Sequence, residues 1–378
     1  MKFVIDSKIF KNITERAAAL CQKNGVLSQV RCVEIISDKE TNKVIVKSTN
    51  MDSYSEIHSD FVRVIDNGNA FVSLENLKRL YNVVGDVTIE TTEKSINIYS
   101  DRKRSETLTE EIDSIEFPVK TETRSFYADK EELLSTFSKL SCCLQDSGLY
   151  SGFNISNMYG TDRIVALDGF RGAMRKVNWN FKPSLDITIP GYVGKELKKV
   201  SANKKNETIE VFSDSKYAWF VGTDFIYTTR LLEGKYLEFE KIAKNEGSTY
   251  GFEIESEDLA CVSKEYSGVL KSLKEPMYFC NVDGKLVAVA MSKDYKTSDV
   301  LDVTNAHDVP ENLICAINPM YINQMSGVFN KQNIVVTVDL NKSFAPWIFT
   351  GESDYTGLIL PCRPKEDLSD IRQFVQNM

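Results

Sequence analysis

The chain has 378 residues, 42% of them apolar, and a formal net charge of −8. That length supplies two or three cores of ordinary domain size, and no apolar run approaches the roughly 20 residues of a membrane-spanning helix. The acidic sum argues against a protein that coats nucleic acid by charge alone, so the placement of lysine and arginine matters more than their total.

At the N-terminus MKFVIDSKIF alternates like a strand. It lacks the apolar block and small-residue cleavage site of a signal peptide, which predicts a cytoplasmic protein. From Lys2, KFVIDSKIFKNITERAAALC reads as a strand entering a helix. The same opening returns as SFYADKEELLSTFSKLSCCL from Ser125 and GFEIESEDLACVSKEYSGVL from Gly251, at intervals of 123 and 126 residues. In each copy an acidic residue follows an aromatic one three places on: Phe3/Asp6, Phe126/Asp129 and Phe252/Glu255. A second strand-to-helix element recurs midway, from Ala70, Ile187 and Cys315. Ser73, Pro190-Gly191 and Asn318-Pro319 are its helix-start signals. Strand-like runs follow, such as DVTIETTEKSINIYS and ETIEVFSDSKYAWFVG. The chain therefore divides into residues 1–122, 123–247 and 248–363, with an extension over 364–378. A period this long means tandem domains. One active-site cleft has little use for three equivalent domains.

On a 3.6-residue wheel the helices separate apolar stripes from basic faces. In Ser7–Cys21 the stripe is Ile9, Ile13, Ala17 and Leu20, with Lys8 and Lys11 away from it. In Tyr192–Val200 it is Val193, Leu197 and Val200, opposite Lys195, Lys198 and Lys199, with Lys204 and Lys205 just beyond. In Glu257–Leu273 it is Leu259, Val262, Tyr266 and Val269, opposite Lys264 and Lys271. Arg79 and Lys139 take similar places on two more helices, whereas Met320–Phe329 presents Asn323 and Gln324. Such faces are often simply solvated. The sharper reading is that equivalent basic faces contact phosphates without reading bases.

Little points to catalysis. The two histidines, His58 and His307, sit in no metalloprotease or deaminase pattern, and no G-x-S-x-G or phosphate-cradling loop occurs. Asp52, Asp168 and Asp224 occupy turn-like positions, where Asp bonds local backbone; a carboxylate-based hydrolase is the alternative from the enzyme class. Eight cysteines are present, and Cys32, Cys261, Cys280 and Cys315 read as buried free thiols. Cys142 and Cys143 have no second pair at zinc-ligand spacing, so neither metal nor cofactor is expected.

Several motifs, in order along the chain, carry a resemblance. They are LQDSGLYSGFNI (Leu144–Ile155), ALDGFRG (Ala166–Gly172), DFIYTTRLLEGKYLEFEKI (Asp224–Ile242) and LILPCRP (Leu358–Pro364). Together they resemble the bacterial DNA polymerase III β subunit, the β sliding clamp family. The resemblance implies an α+β fold of three tandem clamp domains, each with two helices on antiparallel sheets. It implies two chains closing head to tail into a ring around duplex DNA, held without sequence preference. It also implies a hydrophobic pocket for short peptide motifs of the polymerase III α subunit, the clamp loader and repair proteins, and no membrane.

By that resemblance the pocket comprises Leu167, Gly169, Phe170, Arg171 and Gly172 from the Asp168-Gly169 bend between the strand-like runs on either side of it, and Leu237, Lys241 and Ile242 from the segment between domains two and three. Pro346, Leu358, Leu360, Pro361, Cys362 and Arg363 complete it. Apolar walls suit a peptide's anchors, and Arg171 or Arg363 suits its carbonyls or acidic groups. Gln145 and Tyr150 join the helix lysines as DNA contacts, although Tyr150 equally suits packing. The sequence departs from the family at Leu167, Phe170 and Gly172, where Thr, His and Leu are usual, and at Leu237 and Lys241, where Pro and Arg are common. A scaffold with this fold that does not encircle DNA is the second alternative, because Asp101–Asp113 is polar where clamps often present aromatics. In the extension, Leu368, Ile371, Phe374 and Val375 have helical spacing: a helix packed on its own domain, or a peptide that occupies a pocket.

Overall fold

The computed structural model describes all residues except 203–206, 245–248, 274, 308, 311–312, 340–344, 365–367 and 377–378, and the side chains of 271–273 and 307. The helices among the described residues are α1 (Ser7–Ala17), α2 (Leu74–Leu80), α3 (Lys130–Leu140), α4 (Val193–Val200), α5 (Phe239–Ile242), α6 (Ser256–Leu273), α7 (Pro319–Phe329) and α8 (Leu368–Gln376). None is long and apolar enough to cross a membrane. The chain forms two compact units, residues 1–135 with 179–232 and residues 136–178 with 233–378.

Each repeat opens as its sequence requires. Strand Lys2–Asp6 runs into α1, strand Arg124–Asp129 into α3 and strand Thr249–Glu255 into α6. Asp6 caps α1 by accepting from the backbone N–H groups of Lys8 (2.8 Å) and Ile9 (3.3 Å). Ser73 caps α2, and Asn318 caps α7 with Pro319 in the first turn. α4 begins at Val193, after the Pro190-Gly191 signal.

The first unit holds a five-stranded antiparallel sheet, ordered Val62–Asp66, Lys2–Asp6, Asp86–Thr91, Ser95–Tyr99, Arg104–Leu108. It also holds an eight-stranded one. Four strands of the second repeat (Arg124–Asp129, Thr208–Ser213, Tyr217–Val221, Phe225–Arg230) continue into four of the first (Ser53–Ser59, Lys43–Thr49, Cys32–Asp38, Gly68–Ser73). Beside that joint Arg16, 4% exposed, donates from Nη1 and Nη2 to the Asp224 carboxylate at 2.8 Å each and from Nε to the Val200 carbonyl at 2.7 Å. Asp224 thus serves a part-buried ion pair rather than only its own turn.

In the second unit, strands Gly152–Met158, Thr161–Leu167 and Arg171–Val177 pair onward into Tyr355–Ile359, Trp347–Gly351, Asn333–Asp339, Thr249–Glu255 and Thr304–His307. A separate four-stranded sheet is ordered Tyr295–Val300, Lys285–Ser292, Met277–Val282, Ile314–Ile317. It is apolar on both faces. Met277, Phe279, Ala288 and Ala290 are buried on one; on the other Tyr278, Cys280, Val287, Val289 and Met291 pack under Ile371 and Val375 of α8. The extension therefore docks on its own domain through Ile371, Val375 and half-buried Phe374, while Leu368 is exposed.

Three expectations need correction. In α1 the core residue is Phe10, with Ile9 half-buried. In α6 the fully buried stripe is Leu259, Ser263, Tyr266 and Leu270, with Val262 and Val269 at its margins. Ser263 tolerates burial because its hydroxyl bonds the Leu259 carbonyl at 2.6 Å. All eight cysteines are free thiols, but Cys261 is exposed and Cys315 only half-buried. Cys261 falls on the polar side of α6 because the burial stripe is rotated by one residue.

Candidate peptide pocket and basic faces

The bend between strands Thr161–Leu167 and Arg171–Val177 is set by local chemistry. Asp168 Oδ1 accepts from the backbone N–H groups of Phe170 and Arg171, both at 2.9 Å, which is an Asx turn. Gly169 takes the left-handed position, φ +88°. Phe170 is left 62% exposed. Its carbonyl accepts from Leu360 N–H at 2.8 Å, and the ladder pairs Arg171 with Ile359 and Gly172 with Leu358. The bend and the 358–363 segment thereby become neighbours.

Behind the bend lies an apolar cluster of Val165, Leu167, Met174, Tyr236, Phe239 and Leu358, edged by Leu149, Tyr150 and Ile242. The Tyr236 hydroxyl accepts from Leu167 N–H (3.1 Å) and donates to the Gly152 carbonyl (3.2 Å); burial pushes its phenol pKa up. Neither Tyr236 nor Phe239 was expected at the site. Their signal was the spacing Tyr236, Phe239, Ile242, one helical face entering α5. Phe239 explains Gly172: a Cβ there would lie 3.0 Å from the Phe239 ring and 3.1 Å from Leu167 Cβ. The ring fills the room that a side chain at 172 would need.

The expected pocket residues thus separate by exposure. Leu167 and Leu358 are buried, and Ile242, Pro346, Leu360, Pro361 and Cys362 are half-buried. Phe170 and Leu237, 49% exposed, stand out from the surface. Lys241 and Arg363 are exposed, Lys241 paired with Glu238 at 2.9 Å. Arg171, expected to meet a ligand's carbonyls or acidic groups, has partners within the fold. It is 8% exposed, bonds Asp168 Oδ2 through Nε at 3.0 Å and Gln324 Oε1 through Nη1, and lies 4.2 Å from the Tyr321 ring. It is a strut from the bend to α7. A cleft of about 530 Å³ between α6 and α7 is bordered by Asn318, Met320, Gln324, Cys362 and Arg363.

Gln145 and Tyr150 are also tied to this site. Gln145 Nε2 donates to the Asp168 carbonyl at 2.8 Å. Tyr150, half-buried, meets Tyr236 edge-on with ring centroids 5.1 Å apart, so packing accounts for its ring.

No protein-family model and no curated protein matches this sequence. Solved structures do match. The β subunit of Streptococcus pyogenes DNA polymerase superimposes with a TM-score of 0.86 over 96% of this chain and 100% of its own, at 14% identity. The fold is that of a DNA sliding clamp. The Bacillus subtilis sliding clamp gives a TM-score of 0.85 over 96% and 99% of the two chains at 16% identity. The Helicobacter pylori β clamp, solved with a DNA ligase peptide, gives 0.77 over 96% and 100% at 17% identity.

On this clamp fold the basic residues fall as follows. Lys8 and Lys11 of α1, Arg79 of α2, Lys195, Lys198 and Lys199 of α4, and Lys264 of α6 are exposed. Arg79 is paired with Glu75 at 2.8 Å. Lys139 departs from this set: it is half-buried, 4.7 Å from the Tyr355 ring. Burial, then the charge of Arg175, lowers its pKa. Lys204, Lys205 and the Lys271 side chain lie outside the described residues. Among the described residues no group of three or more His, Cys, Asp or Glu could hold a metal.

Proposed function

We propose that this protein is a cytoplasmic, non-enzymatic sliding clamp in DNA replication. Its three repeats, 1–122, 123–247 and 248–363, are the clamp domains. Two copies close head to tail around duplex DNA, and topology rather than tight contact retains it, which suits an acidic chain. The observation that carries the reading is the clamp fold over 96% of the chain. Two edge strands add support: Arg104–Leu108, with Leu108 67% exposed, and Tyr295–Val300, with Val300 53% exposed. Open edges seek partners, and a heterologous contact that closes gives a ring. The lysines of α1, α4 and α6 are the phosphate contacts, and Gln145 extends them. Partner peptides seat against Phe170 and Leu237 over the Leu167–Leu358 floor, as polymerase, loader and repair proteins would require.

The experiment is retention. After loading, the protein should stay on nicked circular DNA through a high-salt wash and leave once the circle is cut. Equal loss from both forms would overturn the clamp reading and favour a scaffold that does not encircle DNA. For the pocket, Phe170→Ala with Leu237→Ala should weaken binding of the Helicobacter ligase peptide by about tenfold or more, as loss of a buried anchor does, without altering circular-DNA retention. Unchanged peptide affinity would remove the rim from the site.

A further inference from the structure

Nothing in the clamp function uses a thiol, yet two cysteines sit side by side beneath the bend. Cys142 and Cys143 close the 3-10 turn Ser141–Cys143 after α3, with their sulfurs 3.7 Å apart. Cys143 is fully buried, whereas Cys142 is half-buried. Cys142 Sγ also lies 3.3 Å from the Lys139 carbonyl and 3.9 Å from the Gln324 carbonyl. Gln324 is the residue that holds Arg171.

We propose that Cys142 and Cys143 form a hydroperoxide-sensitive dithiol whose closure to a vicinal disulfide loosens the Asp168–Gly172 bend. The two thiols differ in the way such a pair needs. The hydrogen bond from Cys143, with the nearby Arg171 charge, lowers the Cys142 pKa against the opposing effect of burial. The same bond, then burial, raises that of Cys143. Cys142 is therefore the thiolate that attacks. Its sulfur takes one oxygen of the hydroperoxide as the O–O bond breaks; it is oxidised by two electrons to the sulfenic acid, and an alcohol, or water from hydrogen peroxide, leaves. The Cys143 sulfur then attacks that sulfur. The S–O bond breaks, the S–S bond forms, and hydroxide leaves as water with the Cys143 proton.

The consequence for the bend is geometric. Adjacent Cα atoms are about 3.8 Å apart, below the usual disulfide span of about 4.4–6.8 Å. Closing the ring must therefore twist the turn, which is held by a 3.4 Å bond from Leu144 N–H to the Ser141 carbonyl. Two tethers lead from it to the bend: Gln145, on the Asp168 carbonyl, and Gln324, on Arg171.

The test uses the full chain carrying Cys261→Ser, which removes the exposed thiol, treated with hydrogen peroxide and then an alkylating agent. The tryptic peptide 140–163 should be two hydrogens lighter than its reduced form, refuse alkylation, and regain two labels after reduction. Cys143→Ser should instead trap a sulfenic acid at Cys142. Amide exchange at Phe170 and Arg171 should be at least about threefold faster in the oxidised chain and unaffected by peroxide in Cys142→Ala. Two alkyl labels on peroxide-treated 140–163, or a disulfide between chains, would overturn the dithiol. Disulfide formation with unchanged exchange would overturn its link to the bend. Neither DNA nor a partner peptide enters this test, so its failure is separate from failure of the clamp reading.

Discussion

In the first unit Asn50 Oδ1 accepts from Asp52 and Ser53 N–H, Met51 has φ +81°, and Asp52 O accepts from Arg230 N–H at 2.8 Å. In the second, Asp168 Oδ1 accepts from Phe170 and Arg171 N–H, Gly169 has φ +88°, and Phe170 O accepts from Leu360 N–H at 2.8 Å. Both turns precede a strand that joins one repeat's sheet to the next, Ser53–Ser59 to Phe225–Arg230 and Arg171–Val177 to Tyr355–Ile359. The backbone is built twice, but the surroundings differ. Around the first turn, Ser53 meets the Tyr227 hydroxyl, and Tyr227 and Asn50 both donate to Glu196. Around the second, the apolar cluster of Val165, Leu167, Met174, Tyr236, Phe239 and Leu358 lies behind the turn, and Phe170 of the turn itself is exposed. The turn chemistry makes a joint in either case; the flanking side chains decide whether it is a polar seal or an apolar rim.

The largest effect is expected at the first joint. Arg16→Leu removes the two charge-assisted bonds from the buried guanidinium to the half-buried Asp224 carboxylate and should cost about 3 kcal/mol in urea unfolding, the upper range for hydrogen bonds to a charged group. An unchanged midpoint would show that the joint does not depend on it. A smaller effect sharpens the second joint. Gly172→Leu meets the Phe239 ring and should destabilise by about 2 kcal/mol through overpacking. Adding Phe239→Ala should recover part of that loss, since the two positions compete for one space; simple additivity would argue against it. The matching position in the first unit, Tyr54, already carries a large side chain.

The smallest effect is a pH dependence. Burial raises the Glu196 carboxyl above its ordinary value, so the folded state holds that proton more tightly than the unfolded one. Its contribution to stability is full below the ordinary glutamate range and is lost as pH rises through the raised value. Glu196→Gln should therefore gain stability relative to the native chain between pH 4 and pH 7. A difference that stays flat over that range would mean the seal does not strain the carboxylate.

Much of this was legible along the chain because its causes are local. The strand-to-helix openings, the caps at Asp6, Ser73 and Asn318 and the turn at Asp168-Gly169 each depend on residues within a few places of one another. The candidate pocket residues were expected from resemblance, yet Tyr236 and Phe239 in the cluster behind the bend were not. Gly172 stands where the resembled family usually has Leu, and only the Phe239 ring against it accounts for the glycine.

By itself the sequence determined three strand-to-helix openings, the helix starts and the sharp bend, since periodicity, capping and a left-handed glycine need no distant partner. Only the tertiary structure decided that Arg171 braces α7, that α6 buries Ser263 rather than Val262, and that α8 covers its own sheet. These follow from side chains far apart in sequence competing for the same buried volume and the same hydrogen-bonding groups.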